Sequence, residues 1–468
     1  MTEINGGSGK FLNFTHWSYF KRGNSRILVR PFSRIDVIIF RLKMYPDSTD
    51  KKIIKMTSNL FIRNGIIFLF SISTFTKNAS FAASGIPEKF PSKTITQPNN
   101  GSFHLDSIPG VRKIKDVLIY EDATFYATFP SVIKRRDGEL VVAFRRAPDR
   151  KIFGEKGSSH VDPNSYLETV HSKDGEHWTK NSELLYAHPF GGSQDPCMLQ
   201  LRDGTILCAS YGWAFVRADG IANLKKPYFE SGGAIFLGGY LVKSADGGKT
   251  WSDAIYPLHV PSEIYYTAFG TPVPAYNRGA LYEAKDGRIL WIVAANDSAG
   301  KVSNHLIFSK DKGLTWEYSA PVAVDPKVSF NEASVIETPM GDIVGFLRTA
   351  NYGDQAVIAR STDKGKSFKW QSMGFQGHPL TALRLPDNRV LLTYGYRHVP
   401  FGIRARILNA DCTDFATAPE IVLRDDGGNS DLGYSWPVQL DKNRVLVVYY
   451  FNKANGTRHI AGTILEIK

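Results

Sequence analysis

The chain has 468 residues, 43% hydrophobic and 12% aromatic, and its 41 Gly and 24 Pro exclude a collagen-like or disordered composition. Its formal net charge is +12, yet residues 1–55 hold 11 Lys/Arg against 4 Asp/Glu, and residues 56–83 add Arg63 and Lys77. Residues 84–468 are therefore nearly balanced, which argues against a nucleic-acid partner.

The leader comes first in chain order. Met56-Thr-Ser-Asn-Leu-Phe-Ile-Arg63 reads as a short n-region, Ile66-Ile67-Phe68-Leu69-Phe70 and its neighbours to Phe75 as an h-region. Ser80-Phe81-Ala82 then offers small residues where a signal peptidase reads. The apolar run is shorter than the about 20 residues that cross a bilayer. We expect a signal peptide over 56–83, a secreted or periplasmic product and no stable membrane span, with an uncleaved signal anchor as the rival reading. Translation is expected to start at Met56, leaving 1–55 as a basic extension, 84–112 as a linker and 113–468 as the folded domain.

Six hairpins follow. Apolar runs flank Asp137-Gly138, Asp203-Gly204, Asp286-Gly287, Gly341-Asp342, Asp387-Asn388 and Asp441-Lys442-Asn443, turn residues that tolerate positive φ. Successive turns lie 46 to 83 residues apart, room for four-stranded blades with variable loops. The fold class is therefore all-β, a six-bladed β-propeller; a β-sandwich would not need six similar units. A two-residue turn at Asp203-Gly204 puts Leu199 opposite Cys208, so Cys197 is only a diagonal neighbour and a bridge is not expected. Cys412 is remote. No metal-ligand cluster is present, so metal and cofactor are both expected to be absent.

A second repeat lies in phase with the first. Ser244-Ala-Asp246-Gly-Gly248-Lys-Thr-Trp251, Ser309-Lys-Asp311-Lys-Gly313-Leu-Thr-Trp316 and Ser361-Thr-Asp363-Lys-Gly365-Lys-Ser-Phe368 share one pattern, and Ser172-Lys-Asp174-Gly175-Glu-His-Trp178 lacks one residue of it. Ser and Asp side chains can bond local backbone while the aromatic packs below, so these are structural staples. They resemble the Asp-boxes (BNR repeats) of the sialidase, or neuraminidase, superfamily. The resemblance covers about 113–468 and implies a scaffold rather than a reaction.

Function must come from residues facing the axis. The residues before each first strand are Thr128, Asp195, Tyr265/Tyr266, Asn331-Glu332, His378 and Tyr434. Those after each second strand are Arg145-Arg146, Trp213, Asn296, Arg348 and Arg397-His398. This set resembles a sialidase centre. The resemblance implies Glu332 as catalytic carboxylate, Arg348 as carboxylate-binding residue, Tyr434 as nucleophile, and Gln194-Asp195-Pro196 as an active-site Asp-Pro. Arg145 or Arg146 takes the place of a first-blade Arg, and Asp162, with Asp149 as fallback, that of the mobile general acid. Arg397, with Arg404 as alternative, would complete the Arg set.

The chemistry explains the residue types. A sialic acid carries a carboxylate on its anomeric carbon, which repels a carboxylate nucleophile but not a Tyr hydroxyl whose proton passes to Glu. Guanidinium groups clamp that carboxylate bidentately. Two departures stand out. The family's Phe-Arg-Ile-Pro appears as Ala127-Thr128-Phe129-Pro130, and the Glu that supports its Arg appears as Tyr450. Arg145, His378 and Arg404 are the candidates to replace the missing charge. The leading expectation is an exo-acting, sialidase-like glycoside hydrolase for a glycan bearing an acidic sugar. The alternatives are a uronate-directed glycosidase or lyase, with Tyr434 or His378 as base, and a non-catalytic glycan-binding propeller.

Overall fold

Each hairpin becomes the two inner strands of an antiparallel sheet. The computed structural model describes residues 108–155, 160–231 and 233–468, plus the backbone of four earlier strands. Those four, Ser18–Arg22, Ser25–Val29, Phe40–Met44 and Ile54–Thr57, form an antiparallel meander of their own. Apart from Met56-Thr57, the signal-peptide segment lies outside the described residues, as does the linker up to 107.

Six sheets follow in the order of the hairpins. The first blade uses Phe125–Lys134, Leu140–Pro148, Tyr166–Ser172 and Glu183–Tyr186. In the second, the innermost strand is split into Gly191–Ser193 and Cys197–Gln200, both paired with Ile206–Phe215. The fourth runs Phe330–Glu337, Ile343–Thr349, Gln355–Ser361 and Lys369–Gln376. The ring closes in the sixth blade, where Val111–Tyr120 pairs with Arg458–Ile467 outside Gly433–Gln439 and Arg444–Asn452. The first and last parts of the domain thus hold one sheet together.

Burial explains the continuous apolar runs. Second strands lie between neighbouring blades and are covered on both faces: Ile289–Asn296 is buried at every position but the last. Outer strands alternate, as in Lys369–Gln376. Trp291, Phe144 and Phe346 are fully buried in these contacts. Each such side chain contributes about 1.5–3 kcal/mol through burial.

The four boxes occupy the turns after the third strands. Ser309 Oγ accepts from Gly313 N at 2.8 Å, Asp311 accepts from Thr315 N at 2.8 Å, and Trp316 Nε1 donates to Gly313 O at 3.2 Å. Gly365 shows why this turn needs glycine: φ is +88°, and a Cβ would sit 2.6 Å from Leu306 of the preceding blade.

One register expectation is corrected. The turn after Leu201 holds three residues, since Leu201 N donates to Thr205 O. The ladder therefore slips by one, placing Met198 opposite Cys208 and Leu199 opposite Leu207. The extra residue is accommodated by Gly204 at φ +96°. All three cysteines are buried and unbridged.

Candidate active site

The same irregularity recurs in four blades at one height. Ladder pairing breaks between Thr128 and Ser131, between Phe330 and Ala333, and between Gly433 and Tyr434-Ser435-Trp436. In the second blade it breaks at Gln194-Asp195-Pro196, between the two pieces of the inner strand. A strand that leaves its ladder re-aims its side chains. The residues released this way include Phe129, Asp195, Glu332 and Tyr434.

Three of them meet chemically. Tyr434 Oη donates to Glu332 Oε1, Arg348 Nη1 pairs with Glu332 Oε2, and Arg348 Nη1 lies 3.3 Å from Tyr434 Oη. These residues are 102 and 86 positions apart for Tyr434–Glu332 and Tyr434–Arg348. Arg397 completes the group: its Cζ is 5.4 Å from the Tyr434 ring centre and its Nη2 donates to Tyr450 Oη at 3.2 Å.

Electrostatics sets the protonation states. Burial would raise the Glu332 carboxyl, but Arg348 and the Tyr434 hydrogen bond outweigh it and hold Glu332 below the usual range. Burial and the Glu332 charge push the Tyr434 phenol well above its usual range. A neutral phenol thus donates to an ionised carboxylate. Asp195 is 1% exposed and accepts from Tyr211 Oη at 3.3 Å. Burial pushes its carboxyl up to about 7, against the pull of Arg278 and with a contribution from Glu332.

Cations dominate this space. Arg278 and Arg145 act on Asp195, and Arg348 and Arg397 act on Glu332. Four guanidinium groups therefore face two carboxylates, one of them partly protonated at neutral pH. The neighbouring Asp431 does not offset them, because Arg458 Nη2 pairs with it at 2.9 Å. A desolvated excess of positive charge favours an anionic ligand.

The other expected residues divide. Arg145, rather than Arg146, faces the centre: it is fully buried, whereas Arg146 pairs with Glu168 and Asp122 on the blade side. His378 is buried in the field of Arg348 and Arg397, which adds to desolvation in holding the imidazole neutral. Trp213 packs against Phe236, with ring centres 4.8 Å apart. Arg404 is not part of the group. It lies on the third strand of the fifth blade, donates to Arg424 O and Pro400 O, and sits 3.8 Å from Glu420. Asp162 is 2% exposed and held bidentately by Arg150 at 2.6 and 2.8 Å. Asp149 caps the short helix Arg150–Phe153 by accepting from Lys151 N.

Several residues escaped the reading of strand ends. Asp431 accepts from Tyr126 Oη at 2.9 Å, Tyr450 Oη at 2.8 Å and Arg458 Nε at 2.9 Å. Tyr450 links this network to Arg397. His160 packs its ring 5.7 Å from Phe129, and desolvation outweighs Asp431 in lowering its pKa. Asp431 sits in a loop with no motif, so only its position two residues before Gly433, where the sixth blade's register breaks, could have flagged it. Among the described residues no cluster of His, Cys, Asp or Glu could hold a metal, and no helix is long and apolar enough to cross a membrane.

The BNR repeat-like domain family matches residues 231–441. A sialidase of Bacteroides fragilis is 24% identical over 228 residues, which span 46% of this chain and 40% of that protein. The match thus covers about two fifths of that relative's length. A crystal structure of a protein of unknown function from Dyadobacter fermentans is 72% identical, covering 77% of this chain and all of that one, with TM-score 0.77. The Hadza microbial sialidase Hz136 is 18% identical, covering 72% of this chain and 65% of its own, with TM-score 0.54, and so shares the fold. The chain is a six-bladed β-propeller, and its BNR repeat-like match together with the sialidase likenesses supports assignment to a sialidase-like superfamily.

Proposed function

We propose that the protein is an exported, exo-acting glycoside hydrolase that removes a terminal acidic sugar, sialic acid or a close relative, from glycans. The observation that carries this reading is the Tyr434–Glu332–Arg348 contact: a neutral phenol bonded to an ionised carboxylate beside a guanidinium.

The sugar carboxylate binds Arg348 and Arg397. As it draws the Arg348 charge, Glu332 loses its main stabilising partner and becomes a stronger base. Glu332 takes the Tyr434 proton while Tyr434 Oη bonds to the anomeric carbon. The glycosidic C–O bond breaks, and its electron pair goes to the leaving oxygen, protonated by an acid. Asp162 fills that role once it leaves Arg150 and takes up a proton. Water then attacks the anomeric carbon and gives a proton to the acid's conjugate base, while Tyr434 departs with the proton from Glu332. General acid help of this kind is worth about 10²–10⁴-fold.

Thr128 and Tyr450 in place of the family's Arg and Glu favour an acidic sugar whose carboxylate is satisfied by two guanidinium groups. A lyase is less well supported, since His378 is a weak base in its buried, cationic surroundings. Incubating the protein with sialyllactose and with uronate oligosaccharides tests the reading. Free sialic acid is expected. An unsaturated, UV-absorbing end would replace the hydrolase by a lyase, and binding without product would replace it by a lectin-like role. Export rests on residues 56–83; detection of the protein only in the cytosolic fraction would overturn it.

A further inference from the structure

A buried cation ties four blades together beside Tyr434. Arg278 precedes the third blade's inner strand and is 2% exposed. Its own segment is pinned: Asn277 Nδ2 donates to Ile292 O at 3.0 Å and Asn331 O at 2.9 Å, and Ala333 N donates to Arg278 O at 3.1 Å. Gly279 follows so close to the fourth blade that a Cβ would stand 1.7 Å from Ala333 O. The guanidinium then reaches three further blades. Nη2 donates to Pro130 O at 2.8 Å and Tyr434 O at 3.5 Å, and Nη1 to Cys197 Sγ at 3.5 Å. Its Cζ lies over two rings, 5.3 Å from the centre of Tyr434 and 4.8 Å from that of Trp436.

These contacts fall where the backbone is strained. Phe129 has φ +55° and Tyr434 has φ +52°, left-handed values that cost a residue with a bulky side chain. Such a conformation persists only when its surroundings over-determine it. The guanidinium contacts carbonyls at both breaks, Pro130 next to Phe129 and Tyr434 itself.

We propose that Arg278 is the positioning residue of the Tyr434 nucleophile. It holds the left-handed backbone that aims the phenol at Glu332, and its charge over the ring favours the phenolate as the sugar–tyrosine C–O bond breaks. That bond's electron pair returns to Tyr434 Oη, which takes its proton back from Glu332, while water supplies the new bond to carbon. A cation over a ring attracts it more strongly as the ring gains electron density. Because Arg278 is locked by carbonyls, it needs no reorganisation at that moment. This inference rests on Tyr434 being the nucleophile.

The test compares Arg278→Met and Arg278→Lys with the wild type, using an aryl sialoside, the pre-steady-state release of aryl alcohol and crystal structures. In Arg278→Met, kcat should fall about 10²-fold or more, the scale of losing one preorganised charge. A burst of aryl alcohol should appear as the second step slows, and KM should fall along with kcat as the sugar–tyrosine intermediate accumulates. Arg278→Lys should recover part of kcat, and in Arg278→Met Tyr434 should leave its left-handed conformation. Wild-type kcat in Arg278→Met overturns the proposal, as does Tyr434 unmoved and no burst. If Arg278→Met does not fold, Arg278→Lys decides: undiminished kcat overturns the proposal, and a reduced kcat with a burst supports it. If the wild type turns over no sialoside, the hydrolase reading fails separately, and the position of Tyr434 in the variants alone judges the role of Arg278.

Discussion

The outer turns and the funnel mouth use similar residues to opposite ends. In the boxes, Asp311 and Ser309 bond groups within a few residues of themselves, and a motif records the whole arrangement. At the mouth, Tyr434 is buried, Glu332 and Arg348 are largely covered, and all three find partners about 16 to 102 residues away. Local satisfaction makes a staple. Distant satisfaction under desolvation makes a site, because each group there depends on charges the neighbouring blades supply.

The contrast can be broken by mutation. The largest expected effect is at the phenol: Tyr434→Phe should lower kcat about 10³-fold or more, and Glu332→Gln about 10²–10⁴-fold, with unfolding midpoints little changed. Activity near wild type in both would dissolve the distinction between mouth and staple. Arg348→Met comes next, with a loss of about 10²-fold in kcat/KM, carried largely by KM. It should also move the acid limb of the pH–rate profile. Glu332 must be ionised to act as base, and Arg348 holds its pKa down; without Arg348, burial raises it and the limb shifts to higher pH. An unmoved limb would separate Glu332 from the base role.

A smaller effect concerns stability. The Asp195 carboxyl is raised from 3.8 to about 7 on folding, so the folded state holds a proton that the unfolded state has lost in that interval. Stability should therefore fall as pH rises from about 4 to about 7. In Asp195→Asn that slope should flatten, as thermal melts across the range would show. The smallest expected effect is at a staple: Asp311→Ala should cost about 1 kcal/mol, as for a lost cap, and leave kcat unchanged. A drop in kcat there would mean that the boxes reach the chemistry.

Much of this was legible beforehand. Hairpin turns and the phase of the boxes follow from local patterns, and strand-end counting named Glu332, Arg348, Arg397 and Tyr434 before their contacts were known. Three kinds of residue escaped. The Cys197–Cys208 register slipped because a three-residue loop and a two-residue loop share the same Asp-Gly. Arg404 resembled Arg397 because both accompany apolar strands of one blade, but Arg397 follows the second strand whereas Arg404 lies within the third. Arg278 and Asp431 lie in connecting segments, where periodicity carries no signal.

The sequence by itself determined the blade count, the staples and the list of polar strand ends, because these depend on turn chemistry and periods of two. Only the tertiary structure decided which of those ends share a desolvated volume. Register breaks and the contacts between blades set that choice, and a guanidinium or a carboxylate acquires its protonation state and its partner from charges far away in the chain.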